Sequence, residues 1–358
     1  MGFNKKVRVL LVDDSAFMRK ILTDIVNSTD TIEVIGVAKN GAEAINQVRS
    51  LNPDVVTMDI EMPILNGIEA LKRIMKDQPV PVIMLSSLTS DGADTTLTCL
   101  DIGAVDFIQK PSSVFRINID ELKEELISKI TTASRIDVKF KNKSIQKKDS
   151  KTSYSSNKLH FSKDRNKHNL IVIGTSTGGP RALQSVIPLL PEDLPASILI
   201  VQHMPPGFTK SLADRLNTMS SITVKEAEDG EKILPGHAYI APGSFHLKIK
   251  EKQSHDIFLQ LTKEDPVSGH RPSVDALFES VSKHVHKNII AVVMTGMGSD
   301  GSRGVKKLKD NTECYVIAQD EASSIVYGMP RSAVNTGTVD DIVPLNEIAN
   351  YILRKLGV

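Results

Sequence analysis

The sequence predicts two α/β domains in series, each a mostly parallel sheet covered by helices. On both sides of residues 135–168, short β-branched runs alternate with longer amphipathic stretches, the pattern of strand, crossover helix and strand. The stretch 135–168 itself shifts to Lys, Ser and Asn, with Phe140, Tyr154 and Phe161 as isolated aromatics. A chain of 358 residues also exceeds the usual extent of a single hydrophobic core.

In chain order, residues 1–134 carry strands near Val7–Val12, Ile32–Ala38, Val55–Met58, Val82–Leu85 and Asp106–Ile108, with helical patterns between and after them, giving five βα units. Residues 135–168 read as a basic, solvated linker, because so few apolar groups cannot offset an ordering cost of about 1–2 kcal/mol per residue. Residues 169–358 carry strands near Leu170–Ile173, Ser197–Gln202, Ile289–Met294 and Cys314–Ala318, with a hairpin-like region near Gly236–Lys250.

A formal net charge of +1 argues against a general nucleic-acid or membrane-surface binder. Cys99 and Cys314 are far apart, with no CxxC pair or histidine cluster beside them, so neither a disulfide framework nor a zinc site is expected. The longest apolar runs are strand-length, and the N-terminus leads into a strand with no signal-peptide pattern. These features predict a cytoplasmic protein without membrane insertion.

In the first domain, chemistry-bearing residues sit where strands end. Asp13 and Asp14 follow the first strand and Asp59 closes the third, so three carboxylates converge beyond the carboxyl edge of an open parallel sheet. Oxygen donors of that kind suit Mg²⁺, which commonly bridges carboxylates to phosphate oxygens. Asp59 is then placed to accept a phosphoryl group. Ser86 and Lys110, at two further strand ends, offer a hydroxyl and a cation for it.

The runs VDDS (Val12–Ser15), MDIEMPILNG (Met58–Gly67), MLSS (Met84–Ser87) and FIQKP (Phe107–Pro111) resemble the response-regulator receiver family, whose fold is a flavodoxin-like (βα)5 sheet. By position, the resemblance implies Asp59 as phosphoacceptor, with Asp13, Asp14, Asp59 and the carbonyl of Glu61 as the Mg²⁺ site. It also implies Lys110 at the phosphate, and Ser86 and Phe107 as the hydroxyl and aromatic switch positions.

In the second domain, GTSTG (Gly174–Gly178) lies at a strand-to-helix junction with Pro180 suited to the first helical turn, a place where Ser176 would stand exposed as a nucleophile. Such loops also cradle phosphates, so the loop alone leaves both readings open. A serine nucleophile needs a base, itself oriented by a third group. His203 follows a strand, whereas His160, His168, His284 and His286 fall in linker or helical surface contexts, and His237, His246 and His270 are less well placed. Asp300 again lies beyond a strand. A competing pattern, Gly296-x-Gly298-x-x-Gly301 with Asp320 about twenty residues on, fits the dinucleotide fingerprint and would make the domain a nicotinamide-dependent oxidoreductase. It leaves Ser176 and His203 without a role. A receiver fused to a non-enzymatic binding module is the other alternative.

The runs GTSTGGP (Gly174–Pro180), QHMPPGFT (Gln202–Thr209), GHRPSVDALF (Gly269–Phe278) and TGMGSDG (Thr295–Gly301) closely resemble the catalytic domain of the chemotaxis protein-glutamate methylesterase/protein-glutamine glutaminase (CheB) family. The resemblance implies a doubly wound sheet with Ser176 as nucleophile, His203 as base and Asp300 as its orienting carboxylate. The amide of Met297 is implied as oxyanion donor, with Thr177 assisting and no cofactor in this domain. It further implies phosphorylation-activated hydrolysis of glutamyl methyl esters on chemoreceptors, releasing methanol and glutamate, with glutamine deamidation alongside. The implied partners are methylated chemoreceptor cytoplasmic domains and a chemotaxis histidine kinase.

Overall fold

A computed structural model describes residues 5–87, 89–110, 119–136, 169–252, 256–284 and 288–358. Most of the expected linker, with its aromatics and His160 and His168, lies outside the described residues, as do Pro111 and His286. The described residues fall into two compact units on either side of that segment. Among them, no helix is long and apolar enough to cross a membrane.

The first unit holds strands β1 (Val7–Val12), β2 (Ile32–Ala38), β3 (Val55–Asp59), β4 (Val82–Ser86) and β5 (Asp106–Gln109). Helices α1 (Ala16–Asn27), α2 (Gly41–Leu51), α3 (Gly67–Asp77) and α4 (Ser90–Ile102) connect them, and α5 (Ile119–Ala133) follows. The strands pair in parallel in the order β2-β1-β3-β4-β5, so the direction of winding reverses between β1 and β3 and opens a crevice at their carboxyl ends. β3 and β4 are buried along their whole length, as expected of strands covered on both faces. Helix starts are fixed locally: Ser15, Asn40, Asn66 and Thr89 each accept a backbone N–H of the first turn they precede. Gly67 is required where α3 begins, since a Cβ there would fall 2.0 Å from the carbonyl oxygen of Asp59.

The second unit is built on a seven-stranded parallel sheet in the order β14-β13-β12-β6-β7-β9-β8. Its strands are β6 (Asn169–Thr175), β7 (Ala196–Gln202), β8 (Thr223–Glu226), β9 (His237–Ile240), β12 (Asn288–Val293), β13 (Cys314–Gln319) and β14 (Asp341–Val343), with the antiparallel pair β10 (His246–Glu251) and β11 (Ile257–Thr262) beside it. Its helices are α6 (Gly179–Val186), α7 (Phe208–Met219), α8 (Val274–Val281), α9 (Ser302–Asn311), α10 (Met329–Val334) and α11 (Ile348–Leu356). β7 follows β6 on one side and β12 lies on the other, so the direction of winding reverses at β6. β7, β12 and β13 are buried throughout, and each fully buried Val, Leu or Ile contributes roughly 1.5–3 kcal/mol.

The expected hairpin near Gly236–Lys250 is corrected. β9 joins the main sheet, pairing in parallel with β7 and β8, and the hairpin is β10 with β11, in a register running from His246 opposite Thr262 to Glu251 opposite Ile257. Both segments are short, β9 buried over its last three residues and β10 over three of its first four, and such a run does not by itself say which partner it finds.

Candidate active site and phosphoacceptor site

In the first unit, Asp13 and Asp59 are buried at the ends of β1 and β3, Asp14 is exposed beside them, and their carboxylate oxygens lie within 4.8 Å of one another. Lys110, just past β5, sets its ammonium between the buried pair, with Nζ 2.8 Å from Asp13 Oδ2 and 2.7 Å from Asp59 Oδ2. Burial pushes the Asp59 carboxyl up to about 6 despite the opposing pull of Lys110. Burial works to lower the Lys110 value, yet Asp59 and Asp13 outweigh it and hold the ammonium charged. Three carboxylates against one ammonium leave negative charge uncompensated, and the donors are all oxygen, so the residues present fit a hard divalent cation. Ser86 is fully buried, accepts from Thr96 Oγ1 at 2.6 Å and donates toward Gly92 O at 3.3 Å. Phe107 is buried under Lys129, whose Nζ stands 5.3 Å from the ring centroid. Glu61 is exposed, and its N–H approaches Asp59 Oδ1 at 3.4 Å.

In the second unit, Ser176 follows β6 and its backbone is held to two neighbouring strand ends. Its N–H donates to Thr295 O at 3.0 Å, and its carbonyl accepts from Gly179 N at 2.7 Å and Gln202 Nε2 at 3.1 Å. The turn into α6 needs glycine: Gly178 has φ +77°, and a Cβ on Gly179 would lie 1.9 Å from Gln202 Oε1. His203 follows β7 and its N–H donates to Thr175 O at 3.3 Å. Its ring Nε2 stands 2.8 Å from Asp300 Oδ2, while its buried Nδ1 has no hydrogen-bond partner among the described residues. Nε2 is therefore the anchored nitrogen, and Nδ1 is the one left to take a proton.

Asp300, nearly inaccessible beyond β12, also accepts from Val274 N (2.7 Å), Asp275 N (2.9 Å) and Ser273 Oγ (2.9 Å) at the start of α8. Burial alone would raise its carboxyl. The bond to His203 and the two backbone amides outweigh burial and hold it below the usual carboxylate range. Asp300 is thus ionised and fixed, the state required of a group that orients an imidazole.

The sheet brings Ser176, His203 and Asp300 to one carboxyl edge, at strands β6, β7 and β12. Thr177 is buried there with its carbonyl accepting from Thr295 Oγ1 at 2.9 Å, and Met297 sits in the loop after Gly296, partly exposed. His237, His246 and His284 are engaged with Pro235 O, Asp265 O and Glu251. His270 is different from the sequence expectation: its ring stacks on His203 with centroids 3.9 Å apart and planes 16° apart. Ser273 and Asp275 were also missed. All three lie in GHRPSVDALF, a run that leads into α8 and carries no strand-end signal.

The dinucleotide reading fails at the start of α9. The amides a pyrophosphate would need there, Gly301 N and Gly304 N, donate to the buried carboxylate Oδ1 of Asp275 at 3.0 and 2.7 Å. Asp320, offered for the ribose, accepts instead from Ser323 N at 3.0 Å.

The family model for CheB methylesterase matches residues 171–352, and that for the response regulator receiver domain matches residues 9–122. A protein-glutamate methylesterase/protein-glutamine glutaminase of Halalkalibacterium halodurans is 49% identical over 350 residues, covering 98% of each chain. The chain belongs to the CheB methylesterase family. Its receiver and catalytic domains stand in the same order along the whole length of such relatives. The Geobacillus kaustophilus protein of the same name is 47% identical over 354 residues, covering 99% of each chain. The crystal structure of the Thermotoga maritima CheB methylesterase catalytic domain is 46% identical, with a TM-score of 0.51, and covers 52% of this chain and 98% of that one. For a CheB-family chain, the Ser, His, Asp order is read from β6, β7 and β12.

Proposed function

We propose that this chain hydrolyses glutamyl γ-methyl esters on chemoreceptor helices, and deamidates glutamines by the same route, under control of phosphorylation at Asp59. The observation that carries the reading is the ionised Asp300 bound at 2.8 Å to His203, at the sheet edge that also carries Ser176. Relatives bearing that activity in their names, matched end to end, support it.

In this mechanism the Ser176 hydroxyl oxygen attacks the ester carbonyl carbon as Nδ1 of His203 takes its proton. Asp300 stabilises the imidazolium that results. The tetrahedral oxyanion is met by the amide of Met297, with Thr177 beside the serine, an interaction of roughly 3–4 kcal/mol where such a donor is preorganised. Collapse breaks the carbon–methoxy bond, and the proton on His203 leaves with methanol. Water, deprotonated by His203, then attacks the acyl-enzyme and releases glutamate. From glutamine the leaving group is ammonia.

In the receiver, Asp59 accepts a phosphoryl group from a chemotaxis histidine kinase. Asp13, Asp14, Asp59 and the Glu61 carbonyl would hold Mg²⁺, which when bound offsets the negative charge gathered around the phosphoryl oxygens. Lys110 is already within reach of Asp59 to pair with that phosphate. Ser86 would exchange its bonds toward α4 for one to the phosphate, with Phe107 responding as the aromatic switch. Buried, unpaired Cys99 and Cys314 suit the cytoplasm, where this kinase and the receptor helices are expected.

The test is methanol release from methylated receptor membranes by wild type and Ser176→Ala, with and without a small phosphodonor and Mg²⁺. Release that depends on Ser176 and rises with the phosphodonor is expected. Release unchanged in Ser176→Ala would refute the reading.

A further inference from the structure

We propose that the segment 326–332, through Gly328, is the positioning element that aims the Met297 amide at the oxyanion; the inference deepens, and rests on, the serine-hydrolase reading above. The loop carrying Met297 is gripped by this segment on both sides. Gly296 N donates to Val326 O at 3.0 Å, and the Gly296 carbonyl accepts from Gly328 N at 3.1 Å and Met329 N at 2.8 Å. Val326 N donates to Thr295 Oγ1 at 3.0 Å, and Ser332 Oγ donates to Gly298 O at 3.2 Å.

A trans peptide group is planar, with its C=O and N–H pointing in opposite directions. The carbonyl of Gly296 and the N–H of Met297 belong to one such group. Holding the carbonyl toward the start of α10 therefore fixes the N–H to point the other way. The same Gly296 lies against the nucleophile, since a Cβ on it would be 2.8 Å from Ser176 Cβ and 3.1 Å from Ser176 N. One peptide group is thus locked to α10 through its oxygen and set beside Ser176 by packing.

Gly328 makes the grip possible. A Cβ there would meet Gly296 O at 2.7 Å, Gly298 N at 3.0 Å and Met297 Cα at 3.2 Å. All three are backbone atoms of the oxyanion loop, so no flexible side chain yields and the loop itself must move. Gly328 has φ −90°, which alanine adopts without strain, so a substitution acts through this contact and not through backbone preference.

The experiment measures methanol release by the full chain, with phosphodonor and Mg²⁺, for wild type, Ser176→Ala, Gly328→Ala and Ser332→Ala. Gly328→Ala is expected to lower kcat roughly ten- to hundredfold, below the full loss of a donor, with KM within about twofold and the pH profile of kcat/KM unmoved. Ser332→Ala is expected to lower kcat by about two- to fivefold. If Gly328→Ala keeps kcat within about twofold of an active wild type that needs Ser176, the positioning role is overturned while the hydrolase reading stands. A loss accompanied by a changed KM or a displaced pH profile also overturns it, by locating the damage at the substrate site or the base. Should Gly328→Ala fail to fold, Ser332→Ala decides: a fall in kcat alone supports the role and an unchanged kcat removes it. Wild type that releases no methanol would take both readings down together.

Discussion

Replacing Asp300 by asparagine keeps the shape of the side chain and removes its charge. The carboxylate accepts four hydrogen bonds, Oδ2 from His203 Nε2 and Val274 N, Oδ1 from Ser273 Oγ and Asp275 N. An asparagine turns one of those oxygens into an NH2 group. With the NH2 in the Oδ2 position it faces the N–H of Val274; with the side chain flipped it faces the N–H of Asp275. Either way one buried backbone donor is left unpaired, at a cost of about 1–3 kcal/mol. For a domain of this size, about 2 kcal/mol lowers Tm by roughly 4–8 °C. The loss to catalysis is larger, because His203 Nε2 loses its anionic partner and the imidazole its fixed tautomer. A fall in kcat of about 10³–10⁴ is expected, as when the orienting carboxylate of another serine triad is amidated, with KM within a few-fold. The assays are methanol release and calorimetry of the full chain. A variant with kcat within tenfold of wild type and an unmoved second transition would refute both the triad assignment and the hydrogen-bond account.

His270→Ala removes the ring stacked on His203, and kcat is expected to fall about tenfold, while His270→Phe, which restores a flat ring, recovers most of it; equal losses in both variants would show that stacking is not what matters. Asp59→Asn is expected to keep basal esterase activity and lose its response to phosphodonor, read by methanol release with and without phosphodonor and Mg²⁺. Asp300 and Asp59 carry opposite signs in stability. Asp300 is held below the usual carboxylate range, so its contribution is present at neutral pH and lost as pH falls through its folded value. Asp59 is raised to about 6, so its folded form binds a proton more readily than its unfolded form, and stability drops as pH rises toward and through that value. Asp59→Asn should therefore raise the urea midpoint of the first domain at pH 7.5 and change it little at pH 4, whereas Asp300→Asn should lower that of the second domain at both pH values, its effect fading only at pH below the usual carboxylate range.

The βα alternation, the strand cores and the residues at strand ends were legible before any fold was known. In a parallel sheet the strand direction is common to all, so a residue just after one strand shares an edge with a residue just after another, whatever their separation along the chain. Asp13, Asp59, Ser86 and Lys110 were legible on that ground, as were Ser176, His203 and Asp300. Tertiary structure alone decided what approaches those residues from elsewhere. That β9 enters the sheet while β10 finds β11 depends on strand pairing over distance, which a short run does not specify. His270 over His203, the amides of Val274 and Asp275 on Asp300, and Gly328 against the Met297 loop are contacts made by loops and helix starts. No periodicity constrains such segments, and their positions follow only once the packed sheet fixes where each begins and ends.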